Sequence, residues 1–223
     1  MVVVEEYKQA VGNEMVSRDF LKRFKPNERW FLSQEQVPFH GEAHLTRVLI
    51  LANVLFSFLA ARGQLNEKIL LDMEFYRQVL SAAAIGHDLG LTREPQYEDP
   101  QYEDHGVNSM RKIKEVLGGV VDETGLNLAG LLCLWHVPED DKLPPNFPEE
   151  IKQLVLILKD ADSLDRLRFT ADSPNHLQTQ FLRFTLAKNL IPTVRQLIER
   201  TERTNEGFDN ILDVAVEMGL VKQ

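Results

Sequence analysis

Six histidines stand in this chain: His40, His44, His87, His105, His136 and His176. His87 is followed by Asp88 at the end of the apolar stretch Ser81-Ala82-Ala83-Ala84-Ile85-Gly86. Two ionisable groups there are costly unless they pair or bind a metal. Taken alone, the pair reads equally well as a hydrogen-bonded helix end. His44 lies near the start of another apolar segment, in His40-Gly41-Glu42-Ala43-His44-Leu45-Thr46-Arg47-Val48. Asp162 lies in Lys159-Asp160-Ala161-Asp162-Ser163-Leu164-Asp165-Arg166, directly after the run Leu154 to Leu158. His44, His87, Asp88 and Asp162 therefore sit on three apolar helices. Imidazole and carboxylate together suit Zn, Mn, Fe, Ni or Co better than Ca.

The elements that must position these groups read as helices. Hydrophobic periodicity is helical nearly throughout, and no alternating β-branched run is bounded by turn residues. The pattern predicts helices over about 13–24, 41–62, 66–87, 106–117, 124–136, 149–168, 176–189, 192–203 and 206–219. The first carries Val16, Phe20 and Phe24 on one face, and Thr124 is the expected N-cap of the fifth. The expected fold is all-α, one bundle of eight or nine helices spanning 1–223, with no linker. Its core covers 38–170, and the helices of 176–219 pack on it.

Composition narrows the function. The chain has 223 residues, 25 Lys+Arg and 34 Asp+Glu, a net charge of −9. Bulk charge on this scale disfavours nucleic acid, so an anionic substrate needs local positive charge or a metal. The single Cys133 cannot form an intramolecular disulfide, and the expected location is cytoplasmic. The longest apolar run, Val48 to Ala61, is shorter than the ~20 residues of a membrane span, so it reads as a buried helix. No signal peptide is expected from Met1-Val2-Val3-Val4-Glu5-Glu6.

Three segments, Phe39 to Val48, Ile85-Gly86-His87-Asp88-Leu89-Gly90 and Lys159 to Asp165, together resemble the HD-domain superfamily of metal-dependent phosphohydrolases. Its signature is H…HD…D on a helical bundle. The resemblance covers about residues 38–170. It implies His44, His87, Asp88 and Asp162 as metal ligands, with Asp160 the lesser choice for the last. Members with two metals place further histidines in the intervals where His105 and His136 fall. Val137 stands where such members carry another His. The resemblance thus implies that the two histidines are second-metal ligands or, around a single metal, supporting or phosphate-contacting residues. His40, four residues before His44, is similar to the histidine that protonates the leaving oxygen in cyclic-nucleotide phosphodiesterases. A capping role fits it equally well. His176 lies outside every motif and reads as a surface or cap residue.

The activity implied is hydrolysis of a small phosphorylated substrate, nucleotide-like, without long nucleic acid or membrane. One or two divalent ions (Mn, Fe, Ni, Co, Zn or Mg) would serve as cofactor. Such a metal lowers the pKa of bound water toward about 7 and polarises a phosphoryl oxygen. Asp88 is the expected proton acceptor. Arg47, Lys159, Arg93 and Arg166 are candidates to hold phosphate oxygens. Any of them can instead form an ion pair with Asp160 or Asp165. The competing class is a non-catalytic HD-like module that binds a nucleotide or protein partner. The segment 89–104 contains Pro-Gln-Tyr-Glu-Asp twice in tandem. It is expected to wall the site, with Tyr97 or Tyr102 available to stack on a base. A duplicated surface loop is the alternative.

Overall fold

The computed structural model describes residues 2–27, 41–91, 105–202 and 207–223. His40, Arg93, Tyr97 and Tyr102 lie outside the described residues, as does the rest of the duplicated segment. Among the described residues there are ten α-helices, eight of them of seven or more residues, and no strands.

The helix α3, Glu42–Ala61, runs through the centre, with every residue from His44 to Leu59 buried. A helix apolar on all sides must be surrounded, and five long helices pack on it: α1 (Val2–Val11), α5 (Met73–Gly86), α8 (Glu149–Asp165), α9 (Thr185–Glu202) and α10 (Phe208–Glu217). By length and composition α3 could cross a membrane, but 89% of its most apolar window is buried inside the fold. The helices α6 (His105–Leu117) and α7 (Glu123–Trp135) pack on each other and on α5.

Several expected boundaries move, for local reasons. The helix expected over 13–24 is shorter. Ser17 caps α2 (Arg18–Lys22) by accepting from the Phe20 N–H, and Val16 is drawn out to accept from the Lys222 N–H. The helix α1 was not expected, although Val4, Tyr7 and Val11 are buried at helical spacing. The segment expected as one helix over 66–87 breaks at Asp72. Asp72 has left helical geometry to cap α5, accepting from the Phe75 N–H, and α4 (Glu67–Leu71) precedes it. Asp122, not Thr124, caps α7 by accepting from the Gly125 N–H. The break expected near 190 is absent, because α9 continues through Pro192. Proline costs a helix its internal hydrogen bond and a kink, but here α9 is packed on α3, α8 and α10.

Candidate metal centre

The centre is built where α3, α5, α8, α6 and α7 meet. His44 is in the first turn of α3, and Asp162 is one turn before the end of α8. His87 is the C-cap of α5. Asp88 opens the turn that follows, closed by the Leu89 and Leu91 N–H groups on the Gly86 and Asp88 carbonyls.

Two glycines let the helices close on this turn. A Cβ at Gly90 would overlap the His105 carbonyl oxygen. One at Gly106 would lie 2.9 Å from the Cys133 and Leu134 carbonyl oxygens. With hydrogen at both positions, α6 approaches the turn and the end of α7, which brings His105 to His136. Ser109 fixes the contact: its hydroxyl accepts from the Gly90 N–H at 2.8 Å and donates to the His87 carbonyl at 2.6 Å. Sequence reasoning had not singled Ser109 out. No spacing rule marks a buried serine that ties two helices together.

Four donor atoms converge. His44 Nε2 lies 3.3 Å from Asp88 Oδ2 and 3.4 Å from Asp162 Oδ1. His87 Nε2 lies 3.5 and 3.8 Å from the same two oxygens. Ligands about 2.1 Å from a tetrahedral metal are about 3.4 Å apart. The spacing therefore suits a cation better than direct hydrogen bonds, which are shorter.

The tautomers suit it too. His87 Nδ1 is 2.9 Å from the Ala84 carbonyl oxygen. A carbonyl only accepts, so Nδ1 carries a proton, and in the neutral ring Nε2 keeps its lone pair. That Nε2 is buried and makes no hydrogen bond among the described residues. His44 Nδ1 is 2.7 Å from Asp165 Oδ2, which orders His44 in the same way. The electrostatics ask for positive charge. Burial opposes a charged His87, yet Asp88 and Asp162 raise its pKa to about 9. Burial opposes a charged Asp162 as well, yet His87 and His44 hold it well below the usual carboxylate range. The second proton that this raised pKa holds on His87 Nε2 occupies the lone pair a metal would take.

The other oxygen of Asp88 faces a second group. Oδ1 lies 3.7 Å from His105 Nε2 and 3.9 Å from His136 Nε2. His136 Nδ1 donates to the Cys133 carbonyl oxygen at 2.5 Å. Burial, then His87 and His105, lower the His136 pKa to about 3, so its ring is neutral and Nε2 is an acceptor. His105 Nε2 stands 3.1 Å from it. In each group, His44, His87 and Asp88 or Asp88, His105 and His136, the donor atoms lie within 4.8 Å of one another. Both are candidate metal sites, sharing Asp88.

The basic candidates separate. Arg47 is buried on Asp165, its Nε 2.5 Å from Oδ1. Lys159 turns away from the centre and donates to the Pro138 carbonyl and, at 2.7 Å, to Asp140. Asp160, also facing away, accepts from the Arg183 and Phe184 N–H groups and from the Arg183 guanidinium. Lys159 and Asp160 thus hold the segments 138–140 and 181–184 onto α8. Arg166 is exposed, four residues beyond Asp162, with no ion-pair partner among the described residues. His176 donates to the Phe169 carbonyl oxygen at 2.8 Å, far from this chemistry in role.

An all-helical fold around a His/Asp cluster that could hold a metal is compatible with an HD-like fold. Among known proteins the chain matches no family model, no curated protein and no solved structure.

Proposed function

We propose that this protein is a metal-dependent phosphohydrolase of the HD type, acting on a small phosphorylated substrate, nucleotide-like in character. The observation that supports this most is the convergence of His44, His87, Asp88 and Asp162 from three helices, with both histidine tautomers set toward the common point. His44, His87, Asp88 and Asp162 would hold one divalent ion, and Asp88, His105 and His136 a second. A bound divalent ion supplies activated water at neutral pH and polarises a phosphoryl oxygen.

The chain's own groups divide the remaining work. Asp88 presents one oxygen to each half of the centre and is the group placed to accept a proton there. Arg166, exposed at the C-cap of α8 and four residues beyond Asp162, would hold phosphate oxygens. Arg47 and Lys159 are engaged with other groups and are not assigned that task.

The test joins metal analysis to an activity screen. Purified protein would be analysed for transition metals, then assayed on phosphomonoesters, nucleotides and cyclic nucleotides with added Mn or Ni. Bound metal and metal-dependent phosphate release are expected. Bound metal without turnover of any of these would favour a binding module. A folded protein that takes up no metal would remove the reading altogether.

A further inference from the structure

We infer that Asp165 is the positioning residue of the centre: it fixes the tautomer and ring direction of His44 and anchors that ligand to helix α9. The inference rests on the metal site proposed above but concerns a residue outside the ligand set.

Asp165 is fully buried at the end of α8. Its carboxylate accepts from four donors. Arg47 Nε reaches Oδ1 at 2.5 Å, and Arg47 Nη2 reaches Oδ2 at 3.3 Å. Arg168 Nη1 and His44 Nδ1 reach Oδ2 at 2.9 and 2.7 Å. A carboxylate so surrounded cannot rotate without breaking charge-assisted hydrogen bonds. It can only accept, so the His44 proton must sit on Nδ1 and the Nε2 lone pair must face Asp88 and Asp162. Arg47 also lies 3.4 Å from Thr201 Oγ1, near the end of α9. The chain from Thr201 through Arg47 and Asp165 to His44 links the C-terminal helices to the centre.

A simple ion pair would need only the two arginines. The imidazole on the same oxygen, with its far nitrogen in the ligand cluster, is what a structural role does not require. Partners of this kind behind a metal-binding histidine are worth about 10- to 100-fold in affinity.

Asp165→Asn separates the two roles. An amide has one acceptor oxygen, for which two guanidinium groups compete, so its NH2 turns to His44 Nδ1. The histidine then carries its proton on Nε2, as when Asp is replaced by Asn behind a catalytic histidine. Zinc affinity of wild type and variant would be measured by competition with a chromophoric chelator. Nitrogen-15 spectra of the histidine rings would report the tautomer. The expected result is a 10- to 100-fold weaker zinc affinity in the folded variant and a His44 proton moved from Nδ1 to Nε2. Equal affinity, or an unchanged tautomer, would overturn the inference. If the variant does not fold, the wild-type spectrum decides, since an Nε2–H His44 there refutes it. Wild-type protein that binds no zinc would instead sink the metal reading, a distinct outcome.

Discussion

The two halves of the histidine cluster share Asp88 but solve the problem of buried polarity in opposite ways. Around His44 and His87, two carboxylates face two imidazoles at 3.3–3.8 Å, with positive charge in demand. Around His105 and His136, one carboxylate oxygen stands farther off and the two Nε2 atoms meet at 3.1 Å. Without a cation the second half satisfies itself, His105 donating to the neutral His136. The first half does so only by holding an extra proton on His87 between two carboxylates, in the place a divalent ion would take. The difference teaches that a donor cluster is read by charge and tautomer as much as by distance. A divalent ion offsets the first half's two carboxylates, whereas in the second it must displace a histidine–histidine hydrogen bond.

The largest effect should follow loss of the shared group. Asp88→Ala removes a ligand oxygen from each half. Metal affinity should fall by more than about 100-fold, beyond what a supporting partner's loss costs. Elemental analysis beside circular dichroism checks it. A folded variant with full metal content would break the comparison and the site together.

Loss of one half alone should come next. Asp162→Asn should strongly weaken the ion proposed for His44, His87, Asp88 and Asp162, whereas His105→Ala with His136→Ala should leave it in place and abolish any second ion. Asp160→Asn is the control two residues away. It should lower stability by about 3 kcal/mol or more, the cost of breaking a buried ion pair, with metal affinity of the folded protein unchanged. Calorimetric titration with zinc separates the three.

Much of this was legible in the chain. His44, His87, Asp88 and Asp162 each follow or open an apolar run, and such runs must be buried whatever the details. That His105 and His136 meet depends on Gly90 and Gly106, whose missing side chains matter only once helices touch. Asp160, Asp162 and Asp165 look alike in sequence. On α8 they face Arg183, the cluster and Arg47, because a helix turns about 100° per residue. The position of Lys159 was not legible for the same reason: its partner, Asp140, comes from a proline-rich loop with no periodicity.

The halves should also titrate in opposite directions in chelator-treated protein. Folded His87 has its pKa raised to about 9, against about 6.5 unfolded. Its stabilisation is full below 6.5 and is lost as pH rises through 9. Folded His136 resists protonation down to about 3, so between 6.5 and 3 the unfolded state binds more protons. Its effect is to lower stability as pH falls through that window. Burial raises the Asp165 carboxyl, yet Arg47, His44 and Arg168 hold it at about 2, which adds a loss confined below about 4. Urea melts across pH should show a maximum near neutrality. His87→Gln should flatten the alkaline side, and His136→Gln the side between 6.5 and 4. A maximum unmoved by either exchange would remove the electrostatic contrast.

The smallest effect on fold and metal belongs to Arg166, and it tests which side of the cluster meets substrate. Arg166 is the C-cap of α8, four residues beyond Asp162. It is exposed and has no ion-pair partner among the described residues. Removing it should cost the fold little, since substitutions on open surface stay within about 0.5 kcal/mol. A guanidinium that holds a phosphate is worth about 1.5–3 kcal/mol as a charged hydrogen bond, or roughly a 10- to 150-fold change. Arg166→Ala should therefore raise KM for the best phosphate ester within that range, leaving the melting temperature and metal content as they were. Arg166→Lys should recover part of the loss, since lysine keeps the charge but not the paired donors. An unchanged KM would place the phosphate on the His105 and His136 side, away from α8.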